Sequence, residues 1–504
     1  MSITRNIIRT ILMAFYVALI AFITFGIGAL YSYLNTGADR SKMLHTEIKK
    51  IDQYLPEIVW SPLENEGRLI DEQTLKKIEN DYLDAWYVKL VAYNTGETTG
   101  IKDYYTESAR ENIFNFVSLN KEQKIHLEST TLEHHPSLEF FSEDGQLAVI
   151  TDRNVKEYKR LYKKETFLLE TNETATYKVI LLLEDGFWRI RHLVKEAVAE
   201  TQNTSKSIDV SNLDIKGINY YPKASPWDMF GDKFSLDVVS KDFKIIKDAG
   251  LNTIRIFVPY EDFGKANIDS SKLKKLIRTL NVAESNNLKV IVTLFDFYGD
   301  YSVLDWTLNE RHAEAIVLKL KDHKALLAWD IKNEPNLDFD SRGKEKVMAW
   351  LSNMTDFVKS VDTLHAVTIG WSNTESASLL KNKVDFVSFH YYEDIDKLQE
   401  QYKQLKTKIV NKPIVLGEYG LSSYRGIWNP LGNSEQNQAE YHKKVQGIFA
   451  KNNISFISWT LYDFTEIPKE VVGRLPWRKR AQEHFGFINQ NGETKPAFKY
   501  ISKP

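Results

Sequence analysis

The chain has 504 residues, enough for two or three domains, and its 43% hydrophobic and 27% charged residues are the balance of an ordinary globular protein. A formal net charge of -2 excludes a dedicated nucleic-acid surface. The absence of cysteine excludes disulfides, thiolate metal sites and a cysteine nucleophile, and it fits a secreted bacterial protein that needs no oxidant.

Residues 11–34 form an uncharged apolar run that would be about 36 Å long as a helix, against a hydrocarbon core of about 30 Å. The expectation is one transmembrane helix within a 1–40 anchor. The run is too long for a cleavable signal peptide, and no clear small-x-small cleavage site follows it. Arg5 and Arg9 precede the run and Arg40, Lys42, Lys49 and Lys50 follow it, so charge alone does not orient it. Long domains translocate largely regardless of such charges, which puts the short amino-terminal tail inside and everything after it outside the cytoplasm.

Residues 41–70 are polar, carry Pro56 and Pro62, and read as a stalk. Residues 71–94 then place Leu75, Ile78, Tyr82, Leu83, Trp86, Val88 and Leu90 at helical spacing, with a stop at Asn94-Thr95-Gly96, and a second helix covers 108–117. Strand patterns follow at 126–132, 147–162, 176–183 and 187–194, the last two joined by a Glu184-Asp185-Gly186 turn. Two helices followed by a curved antiparallel sheet resemble the nuclear transport factor 2-like fold, so 71–200 is expected to be a small α+β domain. His134 and His135 would face opposite ways on a strand and no third ligand is evident, so they read as exposed loop histidines and not as a metal pair.

Residues 201–207, Thr-Gln-Asn-Thr-Ser-Lys-Ser, are a polar linker. From 208 to 504 the pattern alternates strand and helix. Strands are expected at 215–220, 253–257, 289–294, 326–331, 366–370, 386–389, 413–416 and 456–459, with helices such as 238–249, 271–285, 311–321, 344–361 and 436–451 between them. Eight such units in about 300 residues predict an α/β fold of the (β/α)8 TIM-barrel type, with its site at the carboxyl ends of the strands. A barrel closes its own core, so this part is expected to fold without the segments before it.

Two strand ends carry the chemistry. Leu-Leu-Ala-Trp-Asp-Ile-Lys-Asn333-Glu334-Pro335 is an apolar run broken by an amide, a carboxylate and a proline, and Pro-Ile-Val-Leu-Gly417-Glu418-Tyr419-Gly420 repeats that grammar. A carboxylate at the mouth of a buried strand is costly to desolvate unless it is paired or used. These two segments resemble the acid/base and nucleophile strands of clan A glycoside hydrolases, family 5 above all, and the resemblance spans 215–504.

The resemblance implies a retaining, double-displacement hydrolase of a β-linked glycan, with Glu334 as acid/base and Glu418 as nucleophile, and with no metal or organic cofactor. On that reading the Glu334 pKa is raised by burial and by the second carboxylate, and Arg255, ending Asn-Thr-Ile-Arg, holds Glu418 ionised. Asn333 binds the sugar 2-hydroxyl. His390 and Tyr392 match the family's His-x-Tyr, although the adjacent Tyr391 leaves the tyrosine open by one position, and Trp459 lies beneath the scissile sugar. The chain departs from family 5 cellulases at Thr293-Leu294-Phe295-Asp296-Phe297, where a histidine is usual; Asp296 is the expected sugar-hydroxyl contact in its place. Tyr220, Tyr221, Trp227, Tyr301, Trp306, Trp371, Trp428 and Trp477 fall in or near loops that suit either sugar stacking or loop packing. A non-catalytic glycan-binding barrel, or a membrane-tethered component of a polysaccharide synthesis or export complex, is the alternative role.

Overall fold

The computed structural model describes residues 53–164, 166–200, 213–472 and 475–502, together with 13, 15–24, 26, 27, 208 and 210. The chain divides into two compact units, 1–52 and 53–504. In the first, the described residues are helical with exposed side chains. No described helix is long and apolar enough to cross a membrane. Most of the remaining expected span, part of the stalk and all of the 201–207 linker lie outside the described residues.

The second unit begins with an α+β region. Helix α1 (Glu72–Thr95) starts where Asp71 accepts a hydrogen bond from the Thr74 amide at 2.8 Å, and it ends where Gly96 takes φ 78°, a left-handed value that glycine adopts without a Cβ clash. Helix α2 spans Glu107–Gln123. Four long antiparallel strands follow, β2 (Ile125–Phe141), β3 (Leu147–Lys163), β4 (Thr166–Glu184) and β5 (Phe187–Glu200), all longer than their sequence patterns.

Residues 53–68, expected as stalk, instead run along the edge of this sheet. Strand β1 (Glu57–Ile58) pairs in parallel with β2, and the amides of Val59, Ser61, Glu66 and Arg68 bond to β2 carbonyls. The histidine pair also differs from expectation. His134 is fully buried within β2, its Nδ1 2.6 Å from Asp152 and its Nε2 2.7 Å from the Thr131 hydroxyl, while His135 faces outward. The alternation of a strand buries one histidine and exposes the other, and the buried one needed an acid that lies 18 residues away in sequence.

Eight of the described strands then close a parallel barrel: β6 (Lys216–Asn219), β7 (Thr253–Pro259), β8 (Lys289–Asp296), β9 (Leu326–Asn333), β10 (Ala366–Trp371), β11 (Val387–Tyr391), β12 (Ile414–Tyr419) and β13 (Ser455–Ser458). The ring closes where Phe456 of β13 meets Lys216 of β6. Helices α3 (Leu236–Asp248), α4 (Ser270–Ser285), α5 (Trp306–Leu320), α6 (Lys344–Val361), α7 (Ile395–Lys408) and α8 (Glu435–Asn452) pack outside it. At the amino-terminal end Ile215, Ile291, Ala328, Ala366, Phe386, Val415 and Ile457 form an apolar floor. The opposite end is left for polar residues.

The barrel core is not confined to the barrel. Leu132 of β2 and Tyr158 of β3 belong to the same buried cluster, and the Tyr158 ring lies 4.3 Å from that of Trp306 at the start of α5. The Leu55 amide donates to Thr307 Oγ1 at 3.0 Å, and Lys346 of α6 pairs with Glu128 of β2 at 2.6 Å. The barrel's strands do close alone, but part of its outer layer is finished by the α+β region. A fragment starting at residue 208 is therefore expected to melt well below the intact chain, and Tyr158→Ala in the intact chain to lose about 3 kcal/mol in a denaturant titration; equal stability of fragment and chain would show the seam to be inert.

Glu310 of α5 sits beside this seam, buried, with Asn353 donating to it at 3.0 Å. Burial pushes its carboxyl up to about 7, against Asn353 and Arg311 and with the help of the Glu133 charge on β2. The unfolded chain ionises Glu310 near the ordinary 4.5, so the folded chain holds the extra proton and loses stability as pH rises from about 4.5 to 7. Glu310→Gln should flatten that part of the stability profile and raise the melting temperature at pH 8 more than at pH 5.

Candidate active site

Strand β9 is mostly apolar, with Asp330 set inside it, and at the barrel mouth Pro335 stops the ladder and Glu334 turns out of it with φ 48°. The Glu334 amide bonds to the Gly370 carbonyl at 2.7 Å, which fixes that turn against β10. Glu418 is held inside β12, and the register of β11 against β12 sets His390 opposite it.

The site is organised by a cation behind the two glutamates. Arg255 of β7, buried, donates to Asp330 through Nε at 3.0 Å and Nη2 at 2.5 Å, to Asn219 at 3.1 Å, to Asn333 at 2.9 Å and to Glu418 at 3.5 Å. Asp330 is completed by the Thr293 hydroxyl and the Gly370 amide. A Cβ on Gly370 would stand 2.8 Å from Arg255 Nη2 and 3.2 Å from His390 Nε2, so only a glycine lets this cluster close.

Tyr392 donates to Glu418 Oε1 at 2.5 Å, whereas the Tyr391 hydroxyl turns away to the Asp394 carbonyl. Of the two tyrosines, Tyr392 is the one in contact with Glu418. His390 Nδ1 is 2.8 Å from Glu334 and 3.8 Å from Glu418. One ligand atom each from Glu334, His390 and Glu418 lie within 4.8 Å of one another, an array that could also hold a cation.

The ionisation of the two glutamates runs against the expectation from sequence. Burial pushes the Glu334 carboxyl up, but the His390 hydrogen bond, Arg255 and Lys332 outweigh it and hold the group below its ordinary value. Glu418 is raised, by burial first and by the Glu334 charge, against His390, Arg255 and the Tyr392 hydrogen bond. Arg255, expected to hold Glu418 ionised, meets it only at 3.5 Å; its shorter bonds go to Asp330, Asn333 and Asn219.

A cavity of about 630 Å³ opens onto both glutamates and is lined in part by Tyr221, Trp227, Phe257, Asp296, Asn333, Tyr392 and Trp459. Trp459 lies at the end of β13, close to Tyr221 and Trp227. Asp296 is buried, with the Tyr221 hydroxyl 3.3 Å away, and burial pushes its carboxyl up to about 6 against Lys332 and Arg255. Of the other loop aromatics, Tyr220, Trp306 and Trp371 are core, Tyr301 donates to Asp338 behind the cavity wall, Trp428 is half exposed away from the lining residues, and the Trp477 side chain lies outside the described residues. Sequence reasoning missed Asn219, Thr293 and Asp330. The available signal was an aspartate inside the apolar run of β9, where an unpaired acid is not tolerated.

The parallel barrel with two strand-end glutamates over an arginine cluster defines the clan A glycoside hydrolase class. Within it, residues 216–465 match the model of the Cellulase family, glycosyl hydrolase family 5. The chain is similar to mannan endo-1,4-beta-mannosidase 8 of Oryza sativa subsp. japonica, 25% identical over 199 residues, 31% of this chain and 51% of that one. It is also similar to mannan endo-1,4-beta-mannosidase A of Emericella nidulans, 24% identical over 236 residues, 37% of this chain and 61% of that one. The chain thus spans about half to three fifths of the length of these curated relatives. Among solved structures, the exo-beta-1,4-mannosidase of Opitutaceae bacterium strain TAV5 overlays with a TM-score of 0.47 at 15% identity, covering 60% of this chain and 61% of that one.

Breaking a buried ion pair from one side leaves the other charge unpaired. Asp330→Ala should therefore destabilise the chain by about 3–5 kcal/mol in a denaturant titration, and a change under about 1 kcal/mol would remove Asp330 from its place at the centre of the cluster.

Proposed function

We propose that the protein is a retaining glycoside hydrolase that cleaves a β-linked glycan by double displacement, with Glu334 as acid/base and Glu418 as nucleophile. The observation that carries this reading is the spacing: a Glu334 carboxylate oxygen lies within 4.8 Å of one from Glu418. Retaining enzymes hold the two carboxyl groups about 5–5.5 Å apart, and inverting ones about 6.5–9.5 Å apart to admit a water. β-Mannan is the first substrate to test, because the curated relatives named above are mannan endo-1,4-β-mannosidases.

In the first step a Glu418 oxygen attacks the anomeric carbon, the glycosidic bond breaks, and the leaving oxygen takes the proton of Glu334. In the second step Glu334 removes a proton from water, which displaces Glu418. The two carboxyls share protons as a pair. As a substrate drives Glu418 fully onto Arg255 and Tyr392, the shared proton moves to Glu334, where the glycosidic oxygen needs it. Asn333 takes the 2-hydroxyl, and Trp459 offers its indole face to the pyranose.

We read residues 11–34 as a membrane anchor with the barrel outside the cytoplasm, supported by the length and apolarity of that run. The α+β region is read as nuclear transport factor 2-like, supported by two helices packed on a curved antiparallel sheet.

Azide separates the two roles. Glu334→Ala should keep first-step turnover on an activated aryl glycoside and be accelerated by azide, giving a glycosyl azide of retained configuration. Glu418→Ala should be inert, or with azide give the inverted product. Swapped rescue would reverse the assignment, and full activity in both variants would end the glycosidase reading.

A further inference from the structure

The cavity wall beside the catalytic pair carries a line of three charges. Lys332 follows Ile331 near the end of β9 and is buried, its side chain 7% exposed. Its ammonium is 3.3 Å from Asp338 and 3.4 Å from the Asn333 carbonyl, and it is the foremost charge opposing the upward shift of Asp296. Asp338 also accepts from the Tyr301 hydroxyl. All three charged residues line the cavity. A lysine this deep, with one carboxylate beside it and another on the same wall, is part of a built wall and not a solvated surface cation.

The sign of the wall follows from its count. Among the described residues that line the cavity, Lys332 is the cation, and Asp296, Asp338, Glu334 and Glu418 are the acids. Arg255 and Asp330 stand behind them and cancel each other. Arg342 is not among those lining residues, although its guanidinium lies 3.9 Å from where a Cβ on the lining residue Gly299 would stand. The ammonium is already committed to Asp338. A sugar carboxylate entering here would have to displace Asp338 and stand beside acids that repel it. A neutral sugar meets no such penalty, because an ammonium and carboxylates at short range offer both donors and acceptors to vicinal hydroxyls.

Building on the glycosidase reading, we propose that Lys332, paired with Asp338 on the cavity wall that also carries Asp296, is a specificity-determining residue that hydrogen-bonds hydroxyls of a neutral glycan and makes the cavity reject uronate-bearing chains.

The test is equilibrium binding of the full-length Glu334→Ala chain to paired hexasaccharides of the same backbone, neutral and oxidised to the carboxylate at C6: β-1,4-mannan with β-1,4-mannuronate, and β-1,4-glucan with its oxidised form. The neutral member of at least one pair should bind about 100-fold tighter or better. Adding Lys332→Met should remove most of that affinity. Adding Asp338→Asn, which frees the ammonium from its closest acid, should move the neutral-to-uronate ratio by tenfold or more toward the uronate. Because this ratio is read within one preparation, it does not depend on how much of a variant folds. Equal binding of the two members, an unchanged ratio in the Asp338→Asn variant, or no binding of either pair would overturn the proposal. Cleavage by the unsubstituted chain is scored separately: selective binding without hydrolysis sinks the glycosidase reading and leaves the wall standing, while hydrolysis of neutral and uronate chains at equal rates does the reverse.

Discussion

The pairing of Arg255 with Asp330 is the constraint on which the site rests. A guanidinium at the centre of a barrel is tolerable only when its donors are all used, and here they are spread over Asp330, Asn219, Asn333 and Glu418. Four strands, β6, β7, β9 and β12, are thereby tied to one planar group. Two more strands contribute to the same knot, β8 through Thr293 and β10 through the Gly370 amide. The positions of the two glutamates are consequences: Arg255 bonds to Asn333, the residue before Glu334, and touches Glu418 directly.

This arrangement also explains the order of the carboxyl pKa values. Arg255 cannot serve Glu418 at full strength while its short bonds go to Asp330, so burial and the neighbouring Glu334 charge prevail at Glu418. Glu334, closer to His390, is the one held low. A site poised in this way leaves the proton distribution open to be set by whatever occupies the cavity, since Arg255 and Tyr392 already stand at Glu418 without saturating it.

Much of this was legible in the sequence. All eight barrel strands announce themselves as short apolar runs between helical patterns, and both glutamates stand out because each ends such a run. The partners of those glutamates were harder to read. Asp330 hides inside an apolar strand, Asn219 ends the first strand with no motif around it, and Lys332 looks like an ordinary polar residue until the cavity wall is built. Asp330 and Asn219 take their meaning from distant residues, Arg255 lying 75 positions from Asp330 and Gly417 198 positions from Asn219. The same limit misled the reading of His134, whose partner Asp152 lies on the next strand, and of residues 53–68, whose hydrogen bonds go to an edge that only the folded sheet offers. Periodicity reports which face a residue takes, and it is silent on who waits there.

The seam of Leu132 and Tyr158 against the Trp306 side of the barrel has a consequence for how this protein can change over evolutionary time. Modules joined by a linker can be exchanged like beads, because neither loses buried surface when the other is replaced. Here the two parts share one apolar cluster, and Trp306 begins the helix that follows the cavity-lining residues 296–299. A substitution in β3 is therefore felt at the start of that helix, and a change in the barrel loop must find a compatible surface on the sheet. The two parts are constrained to drift together, so related chains should keep this α+β partner beside the barrel or rebuild the outer face of α5 once they lose it.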